Sequence, residues 1–501
     1  MKRFYIVSGF LLISSIVFGQ TLDDAVRFSR VSATGSARST AMGGAFGALG
    51  GDISTLGSNP AGIGVFRKSE VTFTPSLNFT SIQSGRGAIE KSSFQIGQLG
   101  AVFSFYSPNF DWKGINFGIN YTNLNNFNQK LEQLVENSPS SFTNVWAYNS
   151  YGIAPENLPD MGSALAYDTK LIYLSDDEET YNYYSVLEML DNETGNIVTL
   201  PVNQHKITKE DGYQGEYAFS FGTNYKDKLY LGITLGIQSL YYKMKSNYLE
   251  APEADSPSGL DYFTYDEHIK INGVGTNLKF GMIYRPIPQV RIGAAIHTPT
   301  WYNLSYDYEA YMDALYLGID PAIGRDEDAY SFTGATSFDY NMRTPWRAIL
   351  SLATVIRQQA ILSADYEYVN YKNARYSDNS DNYDYYYENM DIEDLLRATH
   401  NFRIGAEYRF NSVFSLRAGY GFQASPYKHD TDHYKIQSLS GGFGLNFGVF
   451  YCDAAYVHKY SKGTTVFYSG YNPFADAYFT AAPIMNKYNT NEARVTLGVR
   501  F

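Results

Sequence analysis

A hydrophobic residue at every second position recurs through most of this chain, and no other feature limits its fold as much. The clearest case is the final stretch, 491–501. Ala493, Val495, Leu497, Val499 and Phe501 fall on one face of a strand, and Arg494, Thr496, Gly498 and Arg500 on the other, because successive side chains of a strand point to opposite sides. Such a strand has one apolar and one polar face and ends flush on an aromatic. That is the pattern of the closing strand of a lipid-embedded barrel with a polar lumen. Taken alone it also fits a soluble antiparallel strand; repetition decides. In 229–237, Leu229, Leu231, Ile233, Leu235 and Ile237 alternate with Tyr230, Gly232, Thr234 and Gly236. In 115–121, Ile115, Phe117, Ile119 and Tyr121 alternate with Asn116, Gly118 and Asn120. The same pattern fills 290–296, 402–410 and 439–449, which argues for an all-β architecture.

Residues 1–19 read as a secretory signal peptide. Met1-Lys2-Arg3 is basic, 4–18 are almost wholly apolar, and Val17, Phe18 and Gly19 precede Gln20. A membrane-spanning helix needs about 20 apolar residues, and no stretch supplies them. The lone cysteine, Cys452, lies far from the signal, so the mature N-terminus is not a lipidated cysteine and no intramolecular disulfide forms. The chain carries 46 Tyr, 32 Phe and 43 Gly with 18% charged residues. That composition is unlike a helical membrane protein but suits a barrel, where only alternate residues meet lipid. A net charge of -12 argues against nucleic acid as a partner. The acidity gathers in loops, at 176–179 and 391–394.

About fourteen strands are expected, an even number as single-chain bacterial barrels require. They fall near 70–82, 93–106, 113–127, 213–225, 228–245, 264–285, 289–309, 333–356, 359–376, 398–410, 413–425, 433–449, 451–467 and 488–501. Their connections alternate in length. Short ones lie at 107–111, 226–227, 286–288, 357–358, 411–412 and 450–451. Long ones lie near 83–92, 128–212, 246–263, 310–332, 377–397, 426–432 and 468–487. Membrane barrels keep short turns in the periplasm and long loops outside, which puts both termini in the periplasm and makes 128–212 an extracellular insertion. Tyr241-Tyr242, Trp301-Tyr302, Tyr366 with Tyr368 and Tyr371, and Tyr383 with Tyr385 to Tyr387 are read as interfacial girdles. Ile233→Arg, facing lipid, is expected to cost ~2–4 kcal/mol, and Thr234→Arg, facing the lumen, much less.

Residues 20–66 do not read as strands. Leu22 to Arg30 suits a short helix. The run that follows holds Gly43, Gly44, Gly47, Gly50 and Gly51 and leads to Asn59-Pro60-Ala61-Gly62. So many small residues make no core of their own but fit closely against another surface, here the inside of the barrel. This segment resembles the N-terminal hatch of the FadL/TodX family of outer-membrane transport proteins, with Asn59-Pro60-Ala61 matching its N-P-A motif. A second stretch, 275–281 through 291–301 with Pro286-Ile287-Pro288 between, resembles that family's paired central strands.

The resemblance implies a fourteen-stranded antiparallel barrel over 67–501, corked by the hatch and resident in the outer membrane of a Gram-negative bacterium. It implies passive uptake of hydrophobic compounds such as long-chain fatty acids or aromatic hydrocarbons, captured in apolar pockets and released sideways through the wall after hatch movement. Asn120, Asn123, Asn125 and Asn126 are the candidates for an irregular wall strand, or else for a regular strand running into a polar loop. Val495, Leu497, Val499 and Phe501 form the signal to the barrel-assembly machinery. The remaining expected partners are hydrophobic small molecules and outer-membrane lipid, with the chain a monomer and without cofactor or metal. A non-selective porin and an adhesive surface barrel are the alternatives.

Other chemistry is set aside. Gly442, Gly444 and Gly448 lie on one face of a strand rather than at the strand-to-helix turn that a dinucleotide site needs. His429-Asp430-Thr431-Asp432-His433 is read as a solvated loop, and 378–384 lacks the central Gly and closing Glu of an EF-hand. A hydrolase would need a Ser–His pair; His297, on an inward face, and His400, at a strand start, have no evident partner nearby in the sequence.

Overall fold

The alternation becomes a closed antiparallel barrel of 14 strands. The structure, a computed structural model, describes residues 22–32, 34–85, 87–175, 180–190, 197–253, 257–317, 327–378 and 383–501. The signal segment 1–19, the acidic run 176–179 and residues 379–382 of the EF-hand-like stretch lie outside these. The wall runs β1 (Glu70–Ser84), β2 (Gly87–Tyr106), β3 (Trp112–Asn126), β4 (Val202–Tyr225), β5 (Leu229–Pro252), β6 (Leu260–Ile287) and β7 (Val290–His297, then Trp301–Tyr316). It continues through β8 (Thr336–Arg343, then Arg347–Ile356), β9 (Ala360–Asn370), β10 (Ala398–Arg409), β11 (Phe414–Gln423), β12 (Ile436–Asn446), β13 (Phe450–Thr465) and β14 (Ile484–Arg500). β14 pairs with both β13 and β1, closing the cylinder, and Phe501 exchanges backbone hydrogen bonds with Ser69 at the seam.

The facing follows the period. Leu231, Ile233 and Leu235 are exposed on the outside while Tyr230 and Thr234 are buried inside. Ile115, Phe117 and Ile119 point out, Asn116 and Asn120 in. Val495, Leu497 and Phe501 join the outer apolar band. An exposed apolar surface of this extent is stable only against lipid.

The strands run further than expected. β6 has 28 residues, about 90 Å of strand, where a membrane needs only ~9–11 residues. The supposed long loop at 83–92 is a tight hairpin turning at Gly85, and most of 246–263 belongs to β5 and β6. Above the membrane the outer face is wet, so both faces become polar and the sequence there looks like loop. β7 and β8 each break once, at Thr298-Pro299-Thr300 and Thr344-Pro345-Trp346. Proline lacks the N–H a ladder needs, and Thr300 and Thr344 pair across the two breaks instead.

The described residues of the 128–212 stretch are folded. The N-terminal segment holds α1 (Leu22–Ser29), α2 (Ala37–Ala41) and α3 (Thr55–Ser58); in the insertion, Gln129–Ser138 adds a strand to the top of β4, and helices α4 (Phe142–Asn149) and α5 (Ser163–Asp168) follow with two small hairpins. Trp146 of α4 is buried edge-on to Tyr265 and Phe263. The insertion thus shares a large aromatic core with the upper bore, including Tyr248, Tyr302, Tyr306 and Tyr340. Only some of the aromatics expected in the girdles face outward. Adjacent residues of a strand face opposite ways, so Trp301 points outward but Tyr302 into the bore, and Tyr242, Tyr371 and Tyr385 are likewise buried.

Candidate functional site

The N-terminal segment fills the bore. Its contacts reach round the wall: Ala37 N–H to Thr496 Oγ1 (2.7 Å), Gly43 N–H to Ser440 Oγ (3.1 Å), Asn59 Nδ2 to the Met282 carbonyl (3.2 Å), and Asn116 Nδ2 to the Ile63 carbonyl (2.6 Å). Asp52 ties its two halves together. It accepts from Ser36 Oγ (2.8 Å), which caps α2, and from Ser54 N–H (3.0 Å) and Ser54 Oγ (2.6 Å). Gly43, Gly44, Gly50 and Gly51 have φ near +70°, the left-handed turns that favour glycine. Gly47 serves closeness instead: a side chain there would overlap Ser351. Its N–H and that of Phe46 both donate to Asp365 Oδ2 (3.1 Å each), a two-amide cradle for a buried carboxylate. Asn59 acts as a clasp, donating to the Gly47 carbonyl (2.6 Å) and accepting from Ala61 N–H (3.2 Å); Gly62 N–H closes the turn onto the Asn59 carbonyl (2.9 Å).

The wall answers with glycines of its own. A Cβ at Gly232 would overlap Pro60, at Gly281 Asn59, at Gly293 Gly47, at Gly405 Met42, and at Gly419 Gly43. Gly232 pairs with Gly281, and Gly405 with Gly419. The barrel therefore has a waist where five strands present glycine to the seated plug, which explains these inward glycines.

Between the plug and the wall lies a cavity of about 90 Å³. Its lining is not the apolar pocket expected. Lys279 is ion-paired with Glu216, and Arg403 with Glu367 (2.6 Å); Arg347 donates to the Ser29 carbonyl at the end of α1. Phe28, Val31, Leu124 and Ile349 provide its apolar patches. His297, also in the lining, is bonded to the Ser58 carbonyl (2.6 Å), and His400 lies on the outer face against Tyr366. The remaining histidine bonds go to Glu132, Asp430 and Asn491, and no cluster of three metal-ligating groups occurs among the described residues. α1 sits higher, in the long-loop half of the bore. Phe28 is edge-on to Phe127 and Tyr242, and Asp23 accepts from Tyr427.

Beside this cavity the wall changes. β2 pairs with β3 only over Gln98–Tyr106, stopping at Gln98 opposite Thr122. Above that point β2 keeps β1 alone and β3 keeps β4 alone, with a register shift between Asn123 and Asn125. The alternation fails with it: Thr122, Asn123 and Leu124 are all buried. Side chains bridge the opening where a ladder would run, Asn126 Nδ2 to Ser93 Oγ (2.8 Å) and Lys91 Nζ to the Glu210 carbonyl (2.8 Å). The plug reaches the same place: Asn125 Nδ2 donates to the Arg30 carbonyl (2.7 Å), and Thr34 Oγ1 to the Asn123 carbonyl (2.7 Å). Asn120, lower down, is paired with Thr122 (2.7 Å).

A plugged barrel with this strand count and this break invites comparison. A crystal structure of a Pseudomonas aeruginosa FadL homologue matches with a TM-score of 0.57 at 12% identity, covering 93% of this chain and 98% of that one. The Pseudomonas putida toluene transporter TodX matches with a TM-score of 0.50 at 13% identity, covering 94% and 98%. The fold is theirs. No family model and no curated protein matches the chain. The FadL/TodX fold read from the hatch and the central strands is thus present end to end, carried by architecture at an identity too low for ordinary sequence comparison.

Proposed function

We propose that this protein is an outer-membrane channel for passive uptake of small hydrophobic compounds, long-chain fatty acids or aromatic hydrocarbons among them. Solutes enter from the long-loop side, pass the cavity beside the plug, and leave sideways into the bilayer between β2 and β3. The observation that carries this reading is the interrupted ladder above Gln98 and Thr122, which adjoins the cavity and is bonded to the plug through Arg30 and Thr34. An apolar solute has reason to go sideways: each CH₂ left in water forgoes about 0.8 kcal/mol. The glycine-lined waist and the seated plug leave little room for an open aqueous path, which speaks against the porin alternative. That a toluene transporter has the same fold supports the substrate class.

The test bridges the opening. Ser93→Cys with Asn126→Cys, joined by a short bis-maleimide, is expected to abolish uptake of a hydrophobic tracer into cells while leaving the barrel folded. Either single variant treated alike is expected to retain uptake. Full uptake through the bridged protein would rule out this exit. The native Cys452 is distant on β13.

A further inference from the structure

At the short-turn end the bore opens into a cup of about 580 Å³ that the uptake path does not use. Five arginines line it: Arg38 from the plug, Arg357 from the β8–β9 turn, Arg409 and Arg417 from β10 and β11, and Arg500 from β14. Against them stand Glu407 and Asp453 in the lining and Glu70 beside it.

The carboxylates take up only part of what the arginines offer. Glu407 accepts from Arg38 Nε (2.8 Å) and Nη2 (3.2 Å), Arg409 Nε (2.9 Å) and Arg417 Nε (2.8 Å). Asp453 accepts from Arg417 Nη1 (2.5 Å), and Glu70 from Arg500 Nε (2.6 Å). Each guanidinium carries five N–H donors in a planar fork. Both terminal nitrogens of Arg409 and of Arg500, and Nη2 of Arg417, have no acceptor among the described residues, and Arg357 has no carboxylate. Arg417 is held rigidly, its side chain only 6% exposed. Gly444 keeps the space before it open, since a Cβ there would lie 2.6 Å from Arg417 Nη2. The result is a recess with excess positive charge and outward-facing donors, in a chain whose overall charge is -12.

We propose that this cup is an oxyanion-binding site, taking a carboxylate or phosphate group from the aqueous compartment on the short-turn side. Forked donors from several arginines suit such a group better than single ammonium charges. Arg38 gives the site a further consequence. An anion seated between Arg38 and Arg409 competes with Glu407 for the plug's own guanidinium, so occupancy loosens the plug at its foot. The site stands independently of the lateral-exit reading.

The experiment uses the full chain in detergent at low ionic strength, titrated with inorganic phosphate and, separately, with acetate, and followed by calorimetry. Saturable one-site binding of at least one anion is expected. Arg409→Gln is expected to weaken it tenfold or more and Arg409→Lys by less, with heat-modified gel mobility reporting that the barrel is intact. Lys226→Gln, in a short turn away from the cup, is expected to leave binding unchanged. Preference for acetate identifies a carboxylate site, and preference for phosphate a phosphate site. Absence of saturable binding for both anions overturns the proposal. So does an equal loss in Arg409→Gln and Lys226→Gln, which would mean diffuse surface attraction.

Discussion

At the scale of single residues, inward positions of the wall are not interchangeable. Ile233 is outward and exposed, so Ile233→Arg is expected to cost ~2–4 kcal/mol in unfolding from lipid vesicles. The sequence reading made Thr234→Arg the cheap partner substitution; the structure overturns this. Thr234 is fully buried and donates to the Leu56 carbonyl of the plug (3.1 Å) while paired with Ser220 (2.6 Å). A guanidinium there must displace the plug. Gly232→Leu does so without charge: overpacking of this kind costs about 1–3 kcal/mol, and Pro60 is the group in its way. Raised single-channel conductance with an unchanged barrel is the expected readout. Gly87→Leu, at the open start of β2, gives no added conductance and controls for the substitution itself.

At the scale of elements, one buried carboxyl adds a pH-sensitive tie to the aromatic core that holds the insertion to the mouth. Glu250, at the top of β5, accepts from Ser141 and Tyr248 hydroxyls, from Phe142 N–H (3.2 Å) at the start of α4, and from Gln204 Nε2 (3.0 Å). Burial raises its pKa from 4.5 to about 7, despite these bonds. The folded form therefore holds its proton more tightly than the unfolded one. This contribution to docking is fully present below about pH 4.5 and is lost as pH rises through about 7, a change of the order of 3 kcal/mol at most. Protease cleavage within the insertion is expected to quicken between about pH 5 and about pH 8, and Glu250→Gln is expected to flatten that dependence. Elements were legible in the sequence where one face meets lipid, as in 115–121 and 229–237. They were illegible where β5 and β6 rise above it, because Lys243, Lys245 and Asn247 or Glu267, His268 and Lys270 give no apolar face to count. The plug's glycines were legible as an unusual run. Asp365, Glu407 and Arg347 were not, since every inward polar residue looks alike in sequence, and which ones meet the plug depends on pairings hundreds of residues apart.

At the scale of the whole molecule, three features stack along one axis: an aromatic, insertion-filled mouth, a plugged waist, and an arginine-lined foot. Removing residues 21–60 is expected to make cells permeable to small hydrophilic antibiotics, measured as a fall in inhibitory concentration. An unchanged value would show that the waist is closed by something other than the plug. The seam adds a constraint on biogenesis. The plug leads directly into β1, whose partner at closure is β14, and Ser69 and Phe501 exchange bonds at that junction. Once those strands zip together, the stopper is joined through the chain to a strand of the closed wall and is bonded to strands around the bore. Nesting among the earlier strands before the last one arrives lets the order of synthesis, leading segment first and sealing strand last, take part in how the vessel comes to be corked.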